Sequence, residues 1–280
     1  MVKVTLQEVR DRCAAGRFFS YEGLNDRFWS PISVFFVYVF VKFGWSGNAV
    51  SVLSGVIAMT GGAMMASEDP IIVVLGSFGY MTYYMLDYVD GGVARFNNKS
   101  SIGGQYVDWS MHAISALGYF SGIFAGALMI TGIWIVPFGV LTVVAVALQL
   151  DRYAVGWFSI SMHYQQQRVK GLADKPIQVD YKPVKPSFFY RICRNVSTLI
   201  FHETYLMYSL PLLSIAQIFY VIPGFDFRVI LIILGGVLYF PVIMYNLWKL
   251  AEQGYIDNAY NKLFFDEKAP NLPDDHFFGK

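Results

Sequence analysis

Three aspartates combine a residue type and a spacing that could do chemistry. They flank a short polar turn: Asp87 and Asp90 close one long apolar stretch, and Asp108 opens the next. Steps of three and four residues keep side chains on one face of a helix, so each stretch carries a stripe of functional and small residues. The first stripe contains Asp87, Asp90, Gly91, Ala94 and Arg95, and the second contains Gly104, Asp108 and His112.

Two antiparallel helices joined by the turn at 96–103 would bring these stripes face to face. Three converging carboxylates make a hard-oxygen site suited to Mg²⁺ or Mn²⁺. Arg95 beside them suits a phosphate group bound to the metal, and Gly91 and Gly104 remove side chains where a ligand or the opposite backbone comes close. The chemistry so predicted is phosphoryl transfer, with the metal neutralising charge on the transferred group.

A structural explanation of the same aspartates competes with this one. Asp87 and Asp90 could cap the end of a helix and pair with Arg95 and Lys99, as most charges near a membrane surface do. For a single aspartate the two explanations are evenly matched. Three aspartates on matched faces, interleaved with small residues, favour the metal site.

Composition identifies the class of protein that must position these groups. Hydrophobic residues make up 55% of the chain, charged residues 15% and aromatic residues 18%, and the mean hydropathy is +0.44. These values indicate an all-α membrane protein and exclude a disordered chain, a collagen and a coiled coil. A net charge of +1 gives no reason to expect nucleic acid as a partner. Two cysteines, Cys13 and Cys193, are too few for a disulfide framework, and we expect both to be reduced and structural.

Stretches free of Asp, Glu, Lys and Arg are long enough to span the hydrocarbon core, which takes roughly 20 helical residues. The longest stretch has twice that length, and Thr131-Gly132 is its expected hairpin point. We predict six transmembrane helices, at about 48–66, 71–93, 104–130, 133–153, 204–222 and 229–248. Phe28 to Val41 is too short to span and predicts an amphipathic helix in the interface. The predicted organisation is an interfacial segment at 1–43, a membrane catalytic domain at 44–250 and a cytosolic tail at 251–280.

Basic residues assign the orientation of these spans. The turns at 67–69 and 131–132 carry no Lys or Arg, whereas the alternate connections carry several. Because short basic loops stay in the cytosol, both termini and the carboxylates are predicted to face the cytosol. Pro211 and Pro241 are expected to kink the last two spans.

The spacing of the stripes resembles the signature of the CDP-alcohol phosphotransferases, D-x-x-D-G-x-x-A-R, eight residues, G-x-x-x-D-x-x-x-D. Seven of its eight fixed positions match, from Asp87 to Asp108. The stretch Gly44-Trp-Ser-Gly-Asn-Ala-Val-Ser51 is similar to the opening of the first span in that family, where a proline usually occupies the position of Gly47. The likeness covers roughly residues 44 to 130, and beyond it only the six-span layout agrees.

The resemblance implies a homodimeric six-helix fold with a cytosolic polar cavity. A pair of Mg²⁺ or Mn²⁺ ions there holds the diphosphate of a CDP-alcohol while an acceptor hydroxyl attacks the phosphorus and CMP leaves. The implied metal ligands are Asp87, Asp90 and Asp108. For the donor, the implied contacts are Gly91 and Ala94 beside the nucleotide, Arg95 at the diphosphate, Gly104 at the helix crossing and Asn48 at the cytidine end.

His112 is the one departure within the signature. It occupies the last acidic position, which the family assigns to the base that activates the acceptor hydroxyl. A histidine can accept a proton at cytosolic pH, and His112 lies one helical turn beyond Asp108 on the same face. We expect His112 to be the general base or part of the metal shell. The alternatives are a hydrogen-bonded structural histidine and an inactive site.

The motif leaves donor and acceptor open. Two interpretations fit: CDP-diacylglycerol is the donor to a small polar alcohol, which we favour, or a small CDP-alcohol donates its head group to a lipid. A transporter and a non-catalytic binding protein are the rival classes, although no repeat between halves supports a transporter. Basic residues after the fourth span are candidates for binding an anionic acceptor, or are positive-inside anchors. They are Arg152, His163, Arg168, Arg191, Arg194 and His202.

Overall fold

The computed structural model describes residues 4–14, 24–99, 101–149, 187–219 and 225–252, and the regular elements in these ranges are all helices. The all-α prediction is therefore confirmed for this part of the chain. The helices are α1 (Leu6–Ala14), α2 (Leu24–Lys42), α3 (Gly47–Met65), α4 (Pro70–Phe96), α5 (Ile102–Thr131), α6 (Ile133–Gln149), α7 (Phe188–Phe201), α8 (Glu203–Phe219), α9 (Phe227–Leu234) and α10 (Phe240–Glu252).

Within the described ranges, three helices are long and apolar enough to cross a membrane. They are Gly47–Met65, Tyr106–Thr131 and Phe227–Trp248. Three shorter apolar helices accompany them, at Pro31–Lys42, Ile133–Gln149 and Thr204–Phe219. Length and composition thus indicate a membrane protein.

The core of the fold is a tight antiparallel packing of α3, α4 and α5, which glycines make possible. A Cβ on Gly122 of α5 would lie 1.8 Å from the carbonyl oxygen of Gly62 in α3, so only glycine allows the two backbones to touch. Gly61 and Gly76 play the same part between α3 and α4. Small residues at such crossings are the usual way for helices to approach closely in membranes. This packing holds the C-terminal end of α4 and the N-terminal end of α5, which carry the aspartates, side by side.

The turns around this core begin and end close to the predicted positions. Helix α4 ends at Phe96, and α5 begins after Ser101, whose hydroxyl oxygen accepts a hydrogen bond from the Gly104 N–H at 3.0 Å. Such an N-cap satisfies one of the free donors at the start of a helix. Gly132 separates α5 from α6 with a φ of +77°, a conformation that glycine adopts without strain. The hairpin point predicted there is confirmed.

The last apolar helix contains a π-helical turn at Gly235–Tyr239, immediately before Pro241. Proline has no N–H and its ring crowds the carbonyl one turn earlier, so the wider turn relieves the clash that a regular helix would produce. The predicted disturbance at Pro241 therefore takes the form of a π turn. Pro211 lies inside α8.

Helices α1 and α2 pack on α4. Cys13 of α1 lies 3.5 Å from the carbonyl oxygen of Gly92, and the indole N–H of Trp29 in α2 donates to the hydroxyl of Tyr208 at 2.9 Å. Burial raises the pKa of the Cys13 thiol, an effect that the charge of Arg95 partly offsets. Cys13 and Cys193 are both free and buried.

Candidate metal and active site

The carboxylates lie where α4 ends and α5 begins, against the start of α3. Helix α4 carries Asp87 and Asp90 in its last three turns, and α5 carries Asp108 and His112 in its first three. Because the two helices are antiparallel neighbours joined by a short turn, these stretches lie side by side. The sequence pattern placed the stripes on facing helices, and the structure brings them together.

Asp87, Asp108 and His112 form the centre of the site. His112 Nε2 lies 2.9 Å from an Asp87 oxygen and 3.5 Å from an Asp108 oxygen. One ligand atom from each residue lies within 4.8 Å of the other two, a separation that a single metal ion can bridge. The three side chains are half-buried. Two carboxylates and an imidazole therefore fit a divalent metal, with oxygen donors for Mg²⁺ or Mn²⁺ and a nitrogen that softer ions prefer.

Tyr83 holds the other side of the histidine ring. Its hydroxyl lies 2.5 Å from His112 Nδ1, and the two rings meet edge to face with centroids 5.8 Å apart. A neutral imidazole has one donor and one acceptor nitrogen. If Nε2 donates to Asp87, then Nδ1 accepts from Tyr83; if Nε2 is the acceptor, then Nδ1 donates to the tyrosine oxygen. Tyr83 can satisfy either tautomer and fixes the orientation of the ring.

Asp90 turns toward α3, away from the central three. It is buried, and it accepts hydrogen bonds from the hydroxyl of Ser51 at 2.5 Å and from the backbone N–H of Gly91. It also experiences the negative charges of Asp87 and Asp108, so it belongs to the same electrostatic cluster. The structure thus places Asp90 beside the candidate metal-binding residues, with its carboxylate held by α3.

Gly47 lets the start of α3 touch α4 at the site. A Cβ at this position would lie 2.8 Å from the carbonyl oxygen of Asp90 and 2.9 Å from the Cβ of Ala94. Any side chain here, proline included, would force the two helices apart. This contact gives a physical reason for the glycine where the resembling family usually has proline. Ala94 packs against α3 in this structure.

Gly91 and Arg95 form the outer rim. A Cβ on Gly91 would lie 3.1 Å from Arg95 Nη1, so the guanidinium lies over the open face that the glycine leaves. Arg95 is exposed, as a group that meets a phosphate from solution would be. On the other side of the site, a Cβ on Gly104 would lie 3.3 Å from Asn48 Oδ1, which places Asn48 against the start of α5.

Three of the candidate acceptor-binding residues lie on α7 or directly after it. Arg191 and Arg194 lie on α7, and His202 follows it, with its Nδ1 3.4 Å from the Thr204 N–H. Helix α7 packs on α8, on α10 and on the π-helical turn. The remaining three candidates, Arg152, His163 and Arg168, lie outside the described residues.

Two contact residues escaped the sequence analysis. Tyr83 precedes Asp87 by one helical turn and continues its stripe, so the same periodicity could have identified it. Ser51 follows Gly47 by one turn, but its contact with Asp90 depends on how α3 and α4 cross. No sequence pattern within one helix reveals a crossing.

No protein-family model matches the chain, and no curated protein matches it significantly.

Proposed function

We propose that the protein is a metal-dependent CDP-alcohol phosphotransferase that transfers a phosphatidyl group from CDP-diacylglycerol to the hydroxyl of a small polar alcohol and releases CMP. The observation that carries the proposal is the convergence of Asp87, Asp108 and His112 within 4.8 Å, on facing helices, at signature spacing. Interfacial charges that merely capped a helix would need neither the matched stripes nor the glycines between them.

Mg²⁺ or Mn²⁺ bound in this cluster would neutralise charge on the donor's diphosphate oxygens. Asp87 and Asp108 would hold the metal, with Asp90 as a further ligand beside them. Arg95, exposed at the rim, would bind the diphosphate, since a guanidinium matches phosphate oxygens in pairs. The open faces at Gly91 and Gly104 leave room for the nucleotide, and Asn48 lies where the cytidine end would enter.

In the transfer step, the acceptor oxygen forms a bond to the phosphorus that carries the alcohol. The bond from that phosphorus to the CMP oxygen breaks, and CMP leaves with the electron pair. The acceptor's proton passes to His112, whose Nε2 points toward the carboxylates. For Nε2 to accept the acceptor's proton, the ring's own proton must lie on Nδ1, which then donates a hydrogen bond to the oxygen of Tyr83.

His112 is also close enough to the carboxylates to be a metal ligand, and metal preference separates the two roles. An all-oxygen set binds Mg²⁺ and Mn²⁺, whereas an imidazole ligand shifts the preference toward softer ions. A general base contributes roughly 10²- to 10⁴-fold in rate with little effect on donor binding. A ligand would lower metal and donor affinity together when it is removed.

The proposal includes six transmembrane helices, cytosolic termini, an interfacial helix at 28–41 and a homodimer. The alternation of basic and neutral connections along the sequence supports the orientation, and the apolar helices support the membrane spans. The homodimer is proposed from the family resemblance alone. In this arrangement the ends of α4 and α5 that carry the aspartates face the cytosol. CDP-alcohols reach them there from solution or from the membrane.

The decisive experiment measures CMP release by the purified protein from CDP-diacylglycerol and, separately, from CDP-choline, with Mg²⁺ and a panel of alcohol and lipid acceptors. CMP release from CDP-diacylglycerol would support the proposed donor. CMP release from CDP-choline alone would instead indicate that the protein transfers a head group to a lipid. Asp87→Asn and Asp108→Asn should abolish release, whereas Glu68→Gln, an exposed carboxylate in another turn, should leave it intact. Donor binding without release by the wild-type protein would indicate a non-catalytic binding protein.

A further inference from the structure

Helix α7 presents three different faces. One face is buried against the protein and includes Cys193, Ser197 and Phe201. A second face is exposed and apolar, and continues at helical spacing through Phe189, Ile192 and Leu199, of which Phe189 is 73% and Leu199 61% exposed. The third face is exposed and polar: Arg191, Asn195, Thr198 and His202 follow one another at steps of four, three and four residues.

A helix on a protein surface needs only two faces, one buried and one wet. The additional apolar face requires a second apolar environment beside the polar one. A helix at the edge of a membrane protein, lying where hydrocarbon gives way to headgroups, has these three surroundings.

Contacts with α10 place the start of α7 at such a level. The ring of Tyr190 packs on Tyr245 with centroids 4.3 Å apart, and its hydroxyl donates to Asn246 at 2.6 Å. Tyr245 in turn packs on Trp248, the last residue of the apolar helix Phe227–Trp248. Tyrosine and tryptophan concentrate at membrane–water boundaries. The first turns of α7 therefore have the aromatic surroundings that are typical of such a boundary.

Charge identifies what the polar face meets. Between Asp180 and Glu203 the sequence contains no acidic residue, but it contains four basic ones, Lys182, Lys185, Arg191 and Arg194. Two of the four, Arg191 and Arg194, lie on α7. Basic residues without acidic neighbours beside a membrane helix attract anionic lipids. Exposed apolar side chains next to it add the burial that holds such a helix in place.

We propose that α7 is an interfacial helix that inserts Phe189, Ile192 and Leu199 between acyl chains and binds anionic phospholipid headgroups through Arg191 and Arg194. The occupant is the bilayer, because a second copy of this chain or a soluble protein would not explain a cationic face adjoining an apolar one at the level of an aromatic boundary. The inference needs only that the protein lies in a membrane. It stands or falls separately from the transferase activity.

Depth of insertion is tested with the full-length protein in lipid nanodiscs, carrying an environment-sensitive fluorophore on single engineered cysteines. The native cysteines are buried, and unsubstituted protein measures their background labelling. Probes at Ile192→Cys and Leu199→Cys should be blue-shifted and quenched by phospholipids brominated on their acyl chains. Matched probes at Asn195→Cys and Thr198→Cys, on the same helix, should be quenched far less. Equal quenching on both faces, or blue-shifted probes that brominated lipid does not quench, would overturn the proposal; the latter result would indicate a protein partner.

Headgroup binding is tested by native mass spectrometry of lipids retained from mixed phosphatidylcholine and phosphatidylglycerol bilayers. Each of Arg191→Gln and Arg194→Gln should lower the preference for phosphatidylglycerol about fivefold, the effect of one basic residue near an anionic surface. Lys99→Gln removes an exposed charge from the turn between α4 and α5 and serves as the matched control. An equal loss in the Lys99 variant, or no loss in either arginine variant, would overturn the assignment to α7.

Discussion

Removing the side chain of Arg228 should destabilise this protein more than removing any exposed arginine. Arg228 is 3% exposed, at the start of α9. Its Nε and Nη2 donate to the two oxygens of Asp226 at 3.0 and 2.8 Å, and its Nη1 donates to the carbonyl oxygens of Met65 and Ser67, both at 2.7 Å. One guanidinium thus neutralises a buried carboxylate and satisfies carbonyls at the C-terminal end of α3.

The expected cost follows from these contacts. Breaking a buried ion pair by removing one partner costs about 3–5 kcal/mol, since the other charge stays buried without compensation. In a chain of this size each kcal/mol lowers the melting temperature by about 2–4 °C, so Arg228→Ala should melt on the order of 10 °C below wild type. Arg191→Ala removes an exposed arginine and should change the unfolding free energy by less than about 0.5 kcal/mol.

Thermal unfolding in detergent, followed by tryptophan fluorescence, measures both variants. Arg228→Lys, which keeps the charge but loses the paired geometry, should fall between wild type and alanine. Replacing both partners, as in Asp226→Asn with Arg228→Met, should recover part of the loss because no buried charge is left alone. A melting temperature for Arg228→Ala no lower than that of Arg191→Ala would refute the reasoning.

The same ion pair predicts a pH dependence. Burial alone would raise the pKa of Asp226, but hydrogen bonds from Arg228 and Gln217 and the guanidinium charge outweigh it and lower the pKa below the ordinary range of an aspartate. A carboxyl whose pKa is lower in the folded than in the unfolded state stabilises the fold above its unfolded value, about 3.9, and loses that contribution as the pH falls through the folded value. Wild-type stability should therefore decline below about pH 4, and Asp226→Asn should flatten that decline.

Three further predictions concern the site and its setting. His112→Ala should lower turnover roughly 10²- to 10⁴-fold with little change in donor affinity, and His112→Asp should restore part of the rate. Normal turnover in the alanine variant would make the histidine structural. Loss of donor binding in that variant would place it in the metal shell. Gly47→Ala should lower the free energy of unfolding by about 1–3 kcal/mol and reduce activity, because its Cβ would meet the Asp90 carbonyl oxygen at 2.8 Å. Gly103→Ala, whose Cβ has only a Ser101 contact at 3.9 Å, should be tolerated. Equal melting temperatures of the two variants would contradict the close helix contact. Membrane-impermeant reagent should label Lys99→Cys from the cytosolic side and Glu68→Cys from the opposite side, and labelling of both from one side would exclude the proposed topology.

Helix positions followed from the sequence because the signal that sets them is local. Charge-free runs and their boundaries predicted where α3, α4 and α5 begin and end, to within about three residues, and Gly132 predicted the break before α6. A charged residue is costly in hydrocarbon whatever its neighbours are, so charges mark the ends of the apolar helices. A positive φ favours glycine at that one position, so the glycine marks the helix break. The stripes of Asp87, Asp108 and His112 followed as well, since a helical period decides which residues share a face.

Partners across helices depended on the tertiary structure. Asp90 and Asp87 look equivalent in the sequence, yet one is held by Ser51 of α3 and the other faces His112. Arg228, which falls between two predicted spans, is buried against the end of α3 because Gly126 leaves space for its guanidinium. Hydrophobicity and period determine which surfaces each helix buries, but the crossing of two helices decides which atoms meet. At distances near 3 Å that crossing directs Asp87 to His112 and Asp90 to Ser51.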